Sequence, residues 1–221
     1  MSIKTTLNYS PSFGSKKRKL NQIKFIIFHY TGMKKESDAI NRLTDIQLEV
    51  SCHYLIKNDG EIITMVPDSY IAWHAGKSSW RKYKSLNKNS IGIEITNPGH
   101  EFEYKKFTEK QISSILKLSK FLIKKYKINL RNILGHSDVA PERKKDPGEK
   151  FPWEYLSQNK VGLWHAIKKQ DLIKNRNVKT TKSDKELFIN SLFTIGYQKK
   201  FPIHLSNNKY LSFIIKAFQR R

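Results

Sequence analysis

The stretch His53-Tyr54-Leu55-Ile56-Lys57-Asn58-Asp59-Gly60-Glu61-Ile62-Ile63-Thr64-Met65-Val66 decides the architecture. Two apolar runs, 53–57 and 61–66, flank Asn58-Asp59-Gly60. Asp-Gly between such runs is a hairpin signal, because both residues tolerate the positive φ of a tight turn. One strand pair is therefore antiparallel. Upstream, residues 23–30 form a near-continuous apolar run that reads as a buried strand. Between that run and the hairpin, residues 36–48 place Ile40, Leu43, Ile46 and Leu48 at helical spacing, with Ser37 as N-cap. Downstream, residues 90–96 read as another strand, closed by Asn97-Pro98-Gly99. Thr108 and Gln111 make a capping box for a long helix. Its inner face carries Ile112, Ile115, Leu116, Leu118, Ser119 and Leu122. Residues 132–135 form a short strand, and 161–173 read as the last helix of the domain, with Leu163, Trp164 and Ile167 inward. Strands alternating with helices, plus one hairpin, predict an α/β fold: a mixed central β-sheet flanked by helices.

The chain's 221 residues divide by composition. Residues 1–20 are polar and read as an extended arm. Residues 21–174 form the main domain, 175–184 a polar basic linker, and 185–221 a helical tail built around Phe201-Pro202-Ile203. A tail of that size is marginal on its own without disulfides or metal. It is expected either to pack on the main domain or to be an incomplete module.

Net charge is +23, from 42 basic and 19 acidic residues. Charge of that size favours any polyanionic neighbour. The lysines are spread along the chain beside Asn and Ile, so no specific nucleic-acid partner is expected. The run Lys16-Lys17-Arg18-Lys19 reads as a solvated loop. Cys52 is the single cysteine, which excludes an internal disulfide, and its apolar surroundings favour a buried packing role over a nucleophile. No run approaches the ~20 apolar residues that cross a bilayer. The first residues lack a signal-peptide core, which predicts a cytoplasmic location, with periplasm or cell envelope as the alternative.

The chemistry gathers at strand ends. His29 closes Ile26-Ile27-Phe28-His29, His136 follows Ile133-Leu134-Gly135, and Asp146 stands in Lys145-Asp146-Pro147-Gly148. Two imidazoles and a carboxylate suit a Zn²⁺ ion that keeps its fourth position for water. A strand-end histidine is also commonly a satisfied structural residue, and spacing alone leaves both readings open. Glu94 lies in Ser90-Ile91-Gly92-Ile93-Glu94-Ile95, where an unpaired acid is costly. Either it faces solvent or a salt bridge, or its face lines a metal pocket and it moves protons for a bound water. Lys144 precedes Asp146 by two residues. It is either one more surface lysine or an ammonium placed where an oxyanion develops.

The phrases Phe28-His29-Tyr30-Thr31-Gly32, Val50-Ser51-Cys52-His53-Tyr54, Ala72-Trp73-His74-Ala75-Gly76, Ser90-Ile91-Gly92-Ile93-Glu94 and Gly135-His136-Ser137-Asp138 occur in this order. Arg143-Lys144-Lys145-Asp146-Pro147-Gly148 and Phe151-Pro152-Trp153 follow. Over about residues 21–170 the chain resembles the zinc-dependent N-acetylmuramoyl-L-alanine amidases of the AmpD/AmiD type. The resemblance implies Zn²⁺ on His29, His136 and Asp146, with Glu94 as general base and Lys144 as oxyanion stabiliser. It implies hydrolysis of the amide between the muramic acid lactyl group and L-alanine, in peptidoglycan or soluble muropeptides. It places His74, Trp80 and Asn87 along the substrate groove, with packing as the alternative for the tryptophans, and leaves His53 off the metal. The tail resembles the first two helices of a peptidoglycan-binding module and stops short of the rest. Two other function classes compete. One is a recognition protein without catalysis, which would lack a metal ligand. The other is a basic nucleic-acid binder, which would gather its cations on one face.

Overall fold

A computed structural model describes residues 3–199 and 205–221. Its elements are β1 (Thr6–Leu7), β2 (Phe13–Gly14), β3 (Phe25–Tyr30), α1 (Glu36–Thr44), β4 (Tyr54–Ile56), β5 (Ile62–Thr64), β6 (Ile71–Ala72), β7 (Ser79–Trp80) and β8 (Tyr83–Lys84). They continue with β9 (Ser90–Ile95), α2 (Glu109–Tyr126), β10 (Ile133–Gly135), α3 (His136–Val139), α4 (Trp153–Gln158), α5 (Lys169–Asn175), α6 (Lys182–Ile195) and α7 (Asn207–Gln219).

Six strands form one mixed sheet in the order β1-β5-β4-β9-β3-β10. Only the hairpin pair β4–β5 is antiparallel. Gly60 turns that hairpin at φ +84°, and a Cβ there would lie 2.8 Å from the Lys110 carbonyl oxygen, so both the turn and the approach of α2 require glycine. The central strands β3 and β9 bury both faces, which is why their sequences are near-continuous apolar runs.

Alternation along the strands separates two cores. Ile26, Phe28, Ile91, Ile93 and Ile95 join Ile115, Leu118 and Leu122 of α2 on one face. Each fully buried aliphatic side chain there contributes roughly 1.5–3 kcal/mol. The helix begins where its cap predicts: Gln111 N donates to Thr108 Oγ1 at 3.1 Å, and Thr108 N to Gln111 Oε1 at 3.0 Å. Phe25, Ile27 and Leu134 face the other way, onto Trp80, Leu86 and Val139. The tail completes this second core with Leu192, Tyr197, Tyr210, Ile214 and Ala217. The two tail helices thus pack on the main domain, while Phe201-Pro202-Ile203 lies outside the described residues.

Four local expectations change. The first helix stops at Thr44 with Lys35 as its N-cap, because Asp45 turns extended and its carboxylate accepts from Gln47 N at 2.8 Å. No helix spans 161–173. Lys160 and Gly162 take positive φ, and the chain re-enters a helix only at Lys169, leaving Leu163 and Ile167 exposed. The linker region already contains the start of α6, capped by Thr181 and Asp184. The N-terminal arm is extended but not free: β1 pairs with β5, and β2 pairs with β6.

Arg18 is the sharpest departure from the solvated-loop reading. It is 6% exposed, and its guanidinium donates to the carbonyls of Asp68, Asn87 and Ser90 at 2.9, 3.1 and 2.7 Å. Burial pulls its pKa down to about 10, against the opposing pull of Asp68. Among the described residues no helix is long and apolar enough to cross a membrane.

Candidate metal centre

The register of β3 against β9 sets His29 beside Glu94. Gly135 pairs with Phe28, so His136, the first residue of α3, leaves the sheet next to His29. Asp146 returns to the same place because Ser137 N donates to its carbonyl at 2.8 Å. All this lies at the carboxyl ends of parallel strands, where open α/β sheets form their ligand crevices. His29 Nδ1 lies 2.9 Å from His136 Nδ1, and Asp146 Oδ2 lies 3.1 and 3.0 Å from the two nitrogens. Among the described residues this is the group of His, Cys, Asp or Glu side chains placed to hold a metal ion, and all three are buried.

Their electrostatics suit a cation. Burial, and next the neighbouring His136, depress the His29 pKa to about 4, so its imidazole is neutral at pH 7. Burial alone would raise Asp146. His136 and His29 outweigh it and hold that carboxyl well below the usual range. A tetrahedral ion about 2.0–2.1 Å from each donor needs donor–donor edges of about 3.3–3.4 Å. The observed triangle accepts one by opening a few tenths of an ångström. Two imidazole nitrogens and one carboxylate oxygen are donors of the type Zn²⁺ takes, so the residues present fit the group.

Glu94 shares its strand face with Gly92, as alternation predicts. Its Oε1 is 4.0 Å from His29 Nδ1, its side chain is 12% exposed, and its buried Oε2 has no hydrogen-bond partner. Burial and then Asp146 push this carboxyl well above the usual range, while Lys144 opposes the rise. Lys144 is half-buried, and its backbone N donates to the Ala140 carbonyl at 3.0 Å. Its charge acts on both His29 and Glu94.

The three residues expected along the substrate groove have internal partners instead. His74 is 6% exposed, with Nδ1 3.0 Å from His29 Nε2 and Nε2 3.1 Å from Ser90 Oγ. Trp80 is 1% exposed and packs edge-on against Tyr197, 5.0 Å between ring centroids. Asn87 Oδ1 accepts from the backbone N–H groups of His74 and Ala75 at 3.2 and 2.7 Å. The resemblance gave their neighbourhood, but burial removes the tryptophan and the imidazole from solvent. His53 stays off the metal: its Nδ1 accepts from Gly92 N at 3.0 Å.

Sequence reading missed several contributors. Arg143 donates to the carbonyls of Ala75 and Lys77 and latches the His74 loop to the Asp146 loop. Asp138, two residues after His136, is buried with Oδ2 accepting from Gly135 N and Arg221 Nη1, both at 2.8 Å. Its Oδ1 accepts from Tyr197 Oη at 2.8 Å. The Gly-His-Ser-Asp phrase flagged Asp138. Nothing in the sequence flagged its partners, 59 and 83 residues away.

Comparison with known proteins points one way. Residues 19–149 match the family model described as N-acetylmuramoyl-L-alanine amidase. The N-acetylmuramoyl-L-alanine amidase AmiD of Escherichia coli is 35% identical over 191 residues, covering 81% of this chain and 68% of that protein. The 1,6-anhydro-N-acetylmuramyl-L-alanine amidase AmpD of Citrobacter freundii is 41% identical over 106 residues, 48% of this chain and 54% of that one. The solved structure of E. coli AmiD with anhydro-N-acetylmuramic acid-L-Ala-D-gamma-Glu-L-Lys superposes with a TM-score of 0.76. It is 31% identical and covers 94% of this chain and 82% of that one.

Proposed function

The chain belongs to the N-acetylmuramoyl-L-alanine amidase family and is a hydrolase of the amide joining muramic acid to L-alanine, and we propose that it works as a zinc enzyme on muropeptides, the 1,6-anhydro form included. The observation that carries this reading is the triangle of His29 Nδ1, His136 Nδ1 and Asp146 Oδ2 beside Glu94, whose buried Oε2 has no hydrogen-bond partner among the described residues. The substrate class rests on two relatives: the Citrobacter freundii protein is named a 1,6-anhydro-N-acetylmuramyl-L-alanine amidase, and the solved E. coli AmiD holds anhydro-N-acetylmuramic acid-L-Ala-D-gamma-Glu-L-Lys.

His29, His136 and Asp146 would hold Zn²⁺, which when bound would supply Lewis acidity to the scissile carbonyl and a water nucleophile near neutral pH. Glu94 accepts the proton released by the attacking water. Its buried, raised carboxyl then returns that proton to the departing L-alanine nitrogen, which needs it to leave as an amine. Lys144 holds its ammonium beside the site, where negative charge collects on the former carbonyl oxygen. The neutral His29 and the ionised Asp146 keep the triangle free of competing protons.

The test is incubation with an anhydro-muramoyl tripeptide, reading the released peptide by its new L-alanine amine. Release is expected to vanish on chelation and to return with added Zn²⁺. Release that persists after complete metal removal refutes the reading. Glu94→Gln is expected to retain the metal and to lower kcat about 10²–10⁴-fold. Metal loss in that variant refutes the role given to Glu94.

A further inference from the structure

We infer that His74 and Ser90 are positioning residues that fix which nitrogen of His29 is free to bind metal, and that the His74–Ala75 segment does the same for His136. The inference rests on the zinc reading above.

Ser90 Oγ donates to the Leu86 carbonyl at 2.6 Å, which uses its only hydrogen. The 3.1 Å contact between Ser90 Oγ and His74 Nε2 therefore has the imidazole as donor. His74 is buried, and among the described residues its ring nitrogens meet only Ser90 Oγ and His29 Nε2, so no acid holds a second proton on it and its Nδ1 carries a lone pair. His29 Nε2, 3.0 Å away, must then be the donor to His74 Nδ1. With its hydrogen on Nε2, the His29 ring offers Nδ1 to a metal, and that nitrogen faces His136 Nδ1 and Asp146 Oδ2 in the triangle. The order starts at a backbone carbonyl, which cannot reverse, so every later step has one solution.

The next residue does the same for the second ligand. The Ala75 carbonyl accepts from His136 Nε2 at 3.2 Å, which requires hydrogen there and leaves the His136 Nδ1 lone pair for the metal. One dipeptide thus sets both imidazoles. It is held from three sides: Asn87 Oδ1 takes its two backbone N–H groups, Arg143 grips the Ala75 carbonyl, and Gly92 lies directly beneath the His74 ring. A Cβ on Gly92 would fall 2.3 Å from His74 Cγ, so the strand is bare where the ring must sit.

Without Ser90 Oγ the His74 proton has no acceptor on Nε2. The ring can then take the opposite tautomer, which sets a hydrogen on Nδ1 against the hydrogen of His29 Nε2. Such outer partners of metal-bound histidines are typically worth 10–100-fold in metal affinity.

The test has two readouts. The first is the ring ¹⁵N signals of His74 in the wild-type protein before metal is added, expected to show an unprotonated Nδ1 and a protonated Nε2. The second is Zn²⁺ affinity of wild type and Ser90→Ala by competition with a chelator, alongside thermal unfolding of the metal-free proteins. Ser90→Ala is expected to lower metal-free stability only by the two buried hydrogen bonds it removes and, beyond that, to bind Zn²⁺ 10–100-fold more weakly. Protonated Nδ1 in His74 overturns the inference. So does affinity within twofold of wild type, or a loss of metal-free stability without a loss of affinity. Failure of the wild type to bind Zn²⁺ overturns the zinc reading instead, and the ring signals still decide the relay.

Discussion

Arg221→Met should loosen the metal site from the far end of the chain. The Asp138 side chain is 3% exposed and that of Arg221 17%, and their 2.8 Å contact is the one ion pair this carboxylate makes among the described residues. Removing one partner of a buried pair costs roughly 3–5 kcal/mol, because the other charge stays behind in a poor solvent. Asp138 would keep its bonds from Gly135 N and Tyr197 Oη, and Arg221 is partly solvated. The loss should therefore fall near the low end, about 3 kcal/mol. Methionine keeps an apolar stem over the Trp153 ring, on which the guanidinium now lies 4.3 Å from the centroid. A chain of this size loses about 2–4 °C of Tm per kcal/mol, so the drop should be roughly 6–12 °C. The strain lands on α3, whose first residue is His136, so Zn²⁺ affinity should fall with stability. The assay is urea unfolding of the metal-free protein with Zn²⁺ titration, for Arg221→Met, Asp138→Asn and the double variant. The double variant should recover part of the loss, since it no longer buries an unpaired charge. A change under about 0.5 kcal/mol in Arg221→Met, the range of an ordinary surface substitution, would refute the coupling.

Three further perturbations read the same geometry. Gly92→Ala puts a Cβ 2.3 Å from His74, so Zn²⁺ affinity should fall at least tenfold; wild-type affinity would show that the ring moves at no consequence. Trp80→Ala should cost about 3–5 kcal/mol in urea unfolding while KM for muropeptide stays unchanged, because Trp80 faces the tail; a raised KM with normal stability would restore it to the groove. Metal-free stability should fall as pH drops below 6.5. His53 is held at about 3 by burial, so between those values the unfolded chain binds a proton that the folded one refuses, and about 2 kcal/mol is lost by pH 5. His29 and His74, also depressed by burial, add to the same limb, so His53→Asn should remove only part of its slope in the urea midpoint against pH, and an unchanged slope would show that His53 is not one of the neutral groups.

The strands, the hairpin and the long helix were legible because their signals are local. Asp59-Gly60 specifies a turn by backbone sterics, and Thr108–Gln111 specifies a helix start by two reciprocal hydrogen bonds. The clustered His-His-Asp triangle was legible because residue type and strand-end position coincide at His29 and His136. The helix expected over 161–173 failed because spacing reports periodicity, not burial, and Lys160 and Gly162 break the backbone first. For His74, Trp80 and Asn87 the resemblance indicated a neighbourhood but no partners. Only the three-dimensional partner of each, His29, Tyr197 and the loop backbone, says which way it points.

One signal in the composition was stronger than net charge suggested. In a chain where lysine is the common cation, arginine is scarce, and four arginines serve backbone carbonyls that lysine would reach poorly. Arg18 takes Asp68, Asn87 and Ser90, Arg143 takes Ala75 and Lys77, Arg81 takes Ile195, and Arg221 takes Ile133. A planar fork of donors can bridge two or three carbonyls at once, whereas an ammonium is a single hydrated point. Three of these four bind chain segments that meet around the metal donors: Arg18 at the strand that carries Glu94, Arg143 at the His74 loop, Arg221 at Asp138. The charge that reads as bulk solvation is mostly lysine. The cations that tie together the segments around the site are arginines, Arg18 buried and Arg143 at the surface, and their scarcity is what sets them apart.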